Sequence, residues 1–225
     1  DATPGDPSPE GAAPGSAAQG AAAPGSAAPA AAAQSRAYWP VPLARAVPAG
    51  ILGLYVTCSA DHSARLGLVL FGAFALVSGV ILLLLRGRFP DRVVRGNFLV
   101  QGILAALLGV LALAFNGGGL GLLLLLLPAF MAITGFLELY SGLRWRRHAT
   151  AKQELIGARD LLAVGAFTAA MALVFLLIPQ DSVLAIGLLG AYCVLLCVYL
   201  AIGGLSLKWG TQNVRGANAS AERTN

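Results

Sequence analysis

The sequence predicts an all-α fold: an integral membrane bundle of six transmembrane helices arranged as three parallel helical-hairpin repeats. Of the 225 residues, 57% are hydrophobic and 11% are charged, whereas soluble domains usually carry about 25% charged residues. The apolar residues come in long blocks, and the blocks at 66–85 and 183–207 contain no charged side chain. Each is long enough, at roughly 20 residues, to cross the hydrocarbon of a bilayer. A chain this poor in charge cannot cover a water-facing surface, so we expect lipid to be its solvent.

The chain divides by composition into a tail, a membrane domain and a second tail. Residues 1–37 are almost all Ala, Pro, Gly, Ser and Gln, and they have no large apolar side chains to bury. We therefore expect 1–37 to be a disordered cytoplasmic tail, 38–209 to be the transmembrane domain and 210–225 to be a polar cytoplasmic tail. The first residues show no basic or apolar region of a cleavable signal peptide. Since they also lack an initiator Met, we expect the sequence to start inside a longer reading frame or after processing.

Six apolar segments of the membrane domain are candidate spans. They are residues 43–60, 66–85, 98–115, 120–143, 161–178 and 183–207. The first is the least regular, because Arg45 and Pro48 leave only 47–60 as a clean apolar stretch. A charged side chain in a span is costly, so we expect Arg45 to lie near the interface and to extend outward to water.

The basic residues alternate between loops, and this alternation predicts the orientation. Two loops are strongly basic, whereas the turns near Asp61, Asn116 and Gln180 carry one Arg at most. The basic side chains are Arg86, Arg88, Arg92 and Arg95 after the second span, and Arg144, Arg146, Arg147, Lys152 and Arg159 after the fourth. Because loops rich in Lys and Arg favour the cytoplasm, we expect both termini to be cytoplasmic.

The three short turns divide the membrane domain into three hairpins of the same topology. In the second helix of each hairpin, residues 74–79 read FALVSG and residues 130–135 read FMAITG. The third copy keeps the length, and we align Cys197 and Val198 with the Ser-Gly and Thr-Gly of the other two. Self-similarity at a fixed period is typical of internal repeats. Repeats of equal topology are parallel and are related by an axis along the membrane normal.

This pattern resembles the HdeD-like family of small bacterial inner-membrane proteins, a short membrane hairpin repeat of unknown function. The resemblance covers residues 43–209 and rests on 74–79, 130–135 and the third hairpin, 162–208, where Ile178 and Pro179 precede the turn. Members of the family typically have an Asn-Pro or similar turn between the two helices of a hairpin. In this sequence only the third hairpin keeps such a turn. The resemblance implies a location in the bacterial inner membrane and, through the family's namesake, a role in envelope stress or acid tolerance. It brings no catalytic residues.

Two polar residues inside the spans are the candidate site residues. Glu138 lies six positions before Arg144, or roughly 9 Å from the basic end of its helix at 1.5 Å per residue. A carboxylate inside a membrane suggests a function by default. Alternatively it faces the bundle and is held by Arg144, Tyr140 or a neighbouring hairpin. Gln101 is expected to hydrogen-bond across helices as a structural contact, with a transport role as the alternative.

The sequence contains no pattern that predicts an enzyme, a cofactor site or a metal site. The two histidines, His62 and His148, are expected on opposite sides of the membrane, and no span as delimited above holds a second carboxylate to pair with Glu138. The cysteines Cys58, Cys193 and Cys197 lack metal-ligand spacing, so we expect them to be packing residues. Basic residues occupy short loops and form no basic face, which disfavours nucleic-acid binding.

Three functional hypotheses remain open at this point. The first is a non-enzymatic membrane protein of the HdeD-like type. The second is a small transporter or channel subunit that uses Glu138, and the third is a scaffold that binds a partner through its tail and basic loops. The expected partners are the lipid bilayer and either further copies of the chain or another membrane protein. A polar, water-accessible cavity with Glu138 on its wall would favour transport, and a dry bundle would favour a structural role.

Overall fold

The computed structural model describes residues 39–88, 92–148 and 152–223. These residues form an all-helical bundle, as predicted, and the described part contains six helices long and apolar enough to cross a membrane. The helices are α1 (Pro40–Cys58), α2 (Ala64–Leu85, followed by a 3-10 turn at Arg86–Arg88), α3 (Arg92–Ala114), α4 (Gly119–His148), α5 (Lys152–Leu177) and α6 (Ser182–Arg223). The tail predicted at 1–37 lies outside the described residues.

The helices extend beyond the predicted apolar blocks at the ends where charged residues lie. α1 begins at Pro40, a residue suited to the first helical position. α5 begins at Lys152 rather than near residue 161, so Asp160 lies inside this helix. α6 continues past Trp209 to Arg223. The backbone hydrogen bonds of a helix must be satisfied inside the membrane. Charged side chains are tolerated near the helix ends, so the helix can continue through the boundary of the hydrocarbon.

The closest helix packing lies between hairpins rather than within them. The three most extensive interfaces join α2 to α3, α4 to α5, and α1 to α6; we call these the three close pairs. Glycines permit the close approach. A Cβ on Gly79 would lie 2.7 Å from the Gly102 carbonyl oxygen, and a Cβ on Gly135 would lie 2.7 Å from the Ala169 nitrogen. In the third pair, a Cβ on Gly53 would lie 3.0 Å from the Val194 nitrogen. Small residues bring helix backbones together in this way in membranes.

Equivalent positions of α2, α4 and α6 surround one central cavity, which supports a threefold internal repeat. Its walls include Phe74, Phe130 and Tyr192 at one level, and Ser78, Thr134 and Leu196 one helical turn further along. The third copy is therefore 192–197, and Leu196 and Cys197 occupy the Ser-Gly position. The alignment of Cys197 with Ser78 in the sequence was wrong by one residue. Cys197 instead corresponds to Gly79. Both face the partner helix of their close pair, and the Cys197 Sγ would lie 2.8 Å from a Cβ on Gly50 of α1.

The interior has an apolar half and a polar half. We call the end with the two arginine-rich loops the basic end and the opposite end the short-turn end. Towards the short-turn end the interior is apolar, with the Phe71 and Phe130 rings in edge contact at 5.4 Å. Its other buried residues include Leu68, Leu123, Leu127, Ile186 and Leu189, each at most 1% exposed. Towards the basic end the interior holds buried polar side chains, among them Gln101 and Glu138.

Candidate functional site

Glu138 and Gln101, the two residues singled out in the sequence, meet in the interior of the bundle. Glu138 is 1% exposed and Gln101 is 2% exposed. The Gln101 Nε2 donates to the Glu138 Oε1 at 3.1 Å. The same carboxylate oxygen accepts a hydrogen bond from Nη2 of Arg45, with which Glu138 forms an ion pair. We call these three residues the polar cluster.

Each member of the polar cluster comes from a different close pair. Arg45 lies on α1, Gln101 on α3 and Glu138 on α4. The side chains are brought together across 93 and 37 positions of the sequence. The cluster is therefore a connection between the three pairs, whose contacts with one another are less extensive than those within each pair.

The expectation that Arg45 extends outward to water was wrong. Its side chain is only 15% exposed and turns into the bundle. The physical reason is Glu138: a buried carboxylate requires a counter-ion and hydrogen bonds, and leaving it alone would be strongly unfavourable. Of the holders named for Glu138, Arg144 and Tyr140 do not bond its carboxylate in the described residues, and Tyr140 is 45% exposed. The third, a neighbouring hairpin, does so through Arg45.

A small cavity of about 30 Å³ adjoins the polar cluster. A water molecule needs roughly 10–15 Å³ measured in this way, so the cavity has room for about two. Within the described residues, Glu138 Oε2 and Gln101 Oε1 have no protein donor although both are buried. Buried acceptors are normally hydrogen-bonded, and we expect water to serve them here. The described residues therefore leave room for water beside Glu138, in a cavity that at about 30 Å³ is too small to span the membrane.

Thr134, Thr168 and Tyr192, three further polar side chains around the cavity, hydrogen-bond to one another or to the backbone. The hydroxyls of Thr168 and Tyr192 lie 3.0 Å apart, and Thr134 Oγ1 donates to the Phe130 carbonyl oxygen at 2.7 Å. Tyr192 is also held by its ring, which stacks on Phe167 at 5.4 Å. These contacts close the cavity on the side of the apolar half.

Asp160 is a second carboxylate within a span, contrary to the expectation from the sequence. It lies inside the candidate span Leu155–Leu177, and its Oδ1 accepts from the Tyr199 hydroxyl at 3.4 Å. Asp160 and Arg45 line a second cavity, of about 10 Å³. The residue was missed because the predicted span began at the first uncharged position, 161. Extending the helical pattern through its charged first turns would have found it.

Neither a metal site in the described residues nor a similar protein indicates a function. Among residues 39–88, 92–148 and 152–223, no group of three or more His, Cys, Asp or Glu side chains could hold a metal ion. Cys193 is buried, Cys197 is partly buried and Cys58 is exposed. No protein-family model, curated protein or solved structure matches the chain. The polar cluster is therefore the feature of the molecule that bears most directly on its function.

Proposed function

We propose that this chain is a non-enzymatic, multi-pass protein of the bacterial inner membrane in which the polar cluster joins the three close pairs. The observation that carries the proposal is the position of Glu138, whose one carboxylate oxygen is bonded by side chains from the other two pairs. A functional carboxylate on an ion path would have to exchange its partners. Here the carboxylate already has a cation and an amide donor, which suits a structural connection.

The apolar half of the interior supports the same proposal. Ion or proton translocation needs polar groups or water across the whole membrane. In the described residues, the polar cluster and its cavity end at the Phe74, Phe130 and Tyr192 level. Beyond this level the buried side chains include Phe71, Leu68 and Ile186, each fully buried.

The resemblance to HdeD-like proteins adds a physiological setting to this proposal. We place the protein in envelope stress or acid tolerance on that resemblance, which remains a prediction. A scaffold that binds a partner through the tail and basic loops stays a prediction. The tail, 1–37, and the loop segments 89–91 and 149–151 lie outside the described residues.

Transport is the second candidate, and one observation favours it. Glu138 Oε2 and Gln101 Oε1 face no protein donor in the described part of the chain, and they adjoin a cavity that can hold water. A proton or small cation could use these two oxygens if another conformation opened the apolar half.

A flux measurement decides between the two candidates. Liposomes containing wild-type protein or Glu138→Gln should show no proton or cation flux above that of empty liposomes, with folded protein quantified in each. The Gln variant keeps the shape of the side chain and most of its hydrogen bonds, and it removes the charge. Robust wild-type flux that disappears in Glu138→Gln, at equal folded amounts, would establish transport instead.

The proposed orientation is tested with two glycines that tolerate a side chain. A Cβ on Gly117, in the second short turn, or on Gly87, at the basic end, would meet nothing within 4 Å. In a background with the native cysteines replaced, Gly117→Cys should react with an impermeant thiol reagent added outside intact cells. Gly87→Cys should react only after the cells are permeabilised, because basic loops favour the cytoplasm. The opposite labelling pattern would reverse the orientation.

A further inference from the structure

α5 and α6 are joined by a short turn but are separated by a groove on the surface of the bundle. Both helices contact their other neighbours far more extensively than they contact each other. The groove has a volume of about 270 Å³. Its walls are Ala163, Val164, Phe167, Leu195, Leu196 and Tyr199. Apart from the Tyr199 hydroxyl these side chains are apolar, and the groove lies on a face that a bilayer surrounds, so its natural content is an acyl chain.

One end of this groove is charged. Tyr199, which lines the groove, donates to Asp160, and the neighbouring Arg159 is exposed. About 20 residues of helix cross the hydrocarbon, and counting back from Leu177 reaches Ala158. Asp160 therefore lies within one helical turn of the hydrocarbon boundary, where lipid headgroups begin. In the described residues, its carboxylate has the long Tyr199 contact and no ion pair.

We infer that this groove binds a zwitterionic aminophospholipid from the surrounding bilayer. One acyl chain fills the groove, the primary ammonium of the headgroup donates to Asp160, and the phosphate lies against Arg159. The two charges of the headgroup each have a complementary side chain at this end of the groove, a carboxylate for the ammonium and a guanidinium for the phosphate. A charge-assisted hydrogen bond to an ammonium is stronger than a neutral one, so it distinguishes a primary ammonium from a quaternary one, which has no N–H to donate. This inference is independent of the role of Glu138.

A second groove, between α1 and α2, provides an internal control. It has a volume of about 220 Å³. Its walls are Pro48, Ile51, Leu52, Tyr55, Leu70, Ala73, Phe74 and Val77, with no charged residue among them. It should accept acyl chains without selecting a headgroup. Ala163 and Ala73 are both exposed alanines on the wall of a groove, so enlarging each to Phe fills one groove and leaves the other open.

The test is lipid binding to the purified, delipidated full chain, measured by native mass spectrometry. Phosphatidylethanolamine, phosphatidylcholine and phosphatidylglycerol with the same acyl chains are titrated separately. We expect one phosphatidylethanolamine to bind at least about tenfold more tightly than the other two lipids, as loss of one charge-assisted hydrogen bond implies. Asp160→Asn should reduce its affinity to that of phosphatidylcholine. Arg159→Gln should lower the binding affinity of all three lipids by a similar factor.

The groove variants keep the test decisive if Asp160→Asn does not fold. Ala163→Phe should abolish the tight site, whereas Ala73→Phe should leave it unchanged, and thermal unfolding of each variant reports its folding. Equal wild-type affinities for phosphatidylethanolamine and phosphatidylcholine would overturn the inference, as would a preference that survives in Asp160→Asn. A dimer that dissociates in Ala163→Phe, with no lipid retained, would show that a second copy of the chain occupies the groove.

Discussion

Replacing Arg45 with alanine should lower the free energy of unfolding by about 3–5 kcal/mol, the usual result of removing one partner of a buried ion pair. The reason is the remaining carboxylate, since Glu138 is 1% exposed and would keep only Gln101 as a partner. Glu138→Gln should lower the free energy of unfolding by less, because an amide oxygen can still accept a hydrogen bond from Arg45. Unfolding in mixed micelles, followed by circular dichroism, measures both values.

A double variant separates the ion pair from simple loss of packing. Because well-packed apolar residues often replace a buried ion pair without loss of stability, Arg45→Met combined with Glu138→Leu should be markedly more stable than either single variant. Arg65→Ala is the matched control: Arg65 is exposed and hydrogen-bonds to Asn116 at the short-turn end. Its effect should stay within about 0.5 kcal/mol, as for most surface substitutions. If the two single effects simply add in the double variant, the pair does not hold the helices together.

The second large effect is expected from a single methyl group between α2 and α3. Gly109→Ala should lower the free energy of unfolding by about 1–3 kcal/mol, as overpacking of a tight core does. The new Cβ would lie 2.6 Å from the Leu76 nitrogen and 2.7 Å from the Gly72 carbonyl oxygen. Both are backbone atoms, so the two helices must separate to make room, whereas a flexible side chain could have moved aside.

Gly187→Ala is the control for this prediction. Gly187 also lies inside a helix, α6, but a Cβ there would meet nothing within 4 Å. The substitution should raise the free energy of unfolding by about 0.5–1 kcal/mol, because alanine loses less conformational entropy in a helix than glycine. Similar effects at the two positions would show that helix propensity, rather than the close approach of α2 and α3, determines the result.

The membrane spans were predictable because they depend on local composition. Hydrocarbon excludes charged side chains and unsatisfied backbone groups wherever they lie in the chain, so apolar blocks of sufficient length become helices irrespective of their neighbours. Both candidate residues, Glu138 and Gln101, were found by the same reasoning, since a polar residue inside such a block is conspicuous. Asp160 was missed because it directly precedes residue 161, where the uncharged block that defined the predicted span begins, although the helix itself starts at Lys152.

The partners of these residues depend on the three-dimensional arrangement. Arg45 precedes Glu138 by 93 positions, and its place near the start of a span suits either an outward or an inward side chain. The choice depends on which helices pack together, and this in turn depends on glycines such as Gly79 and Gly135 that permit backbone contact. Short turns indicated that consecutive helices are antiparallel neighbours, but they do not indicate which neighbours pack most closely.

By itself the sequence determined that this is an all-helical membrane protein of six spans, with a carboxylate and an amide inside them, because the cost of placing polar groups in hydrocarbon acts residue by residue. The tertiary structure alone decided that α2 pairs with α3, α4 with α5, and α1 with α6, and that Arg45 turns inward to Glu138. It also placed Asp160 beside an apolar groove. Such contacts join residues far apart in the chain, and their energies depend on the shape and burial that only the packed bundle provides.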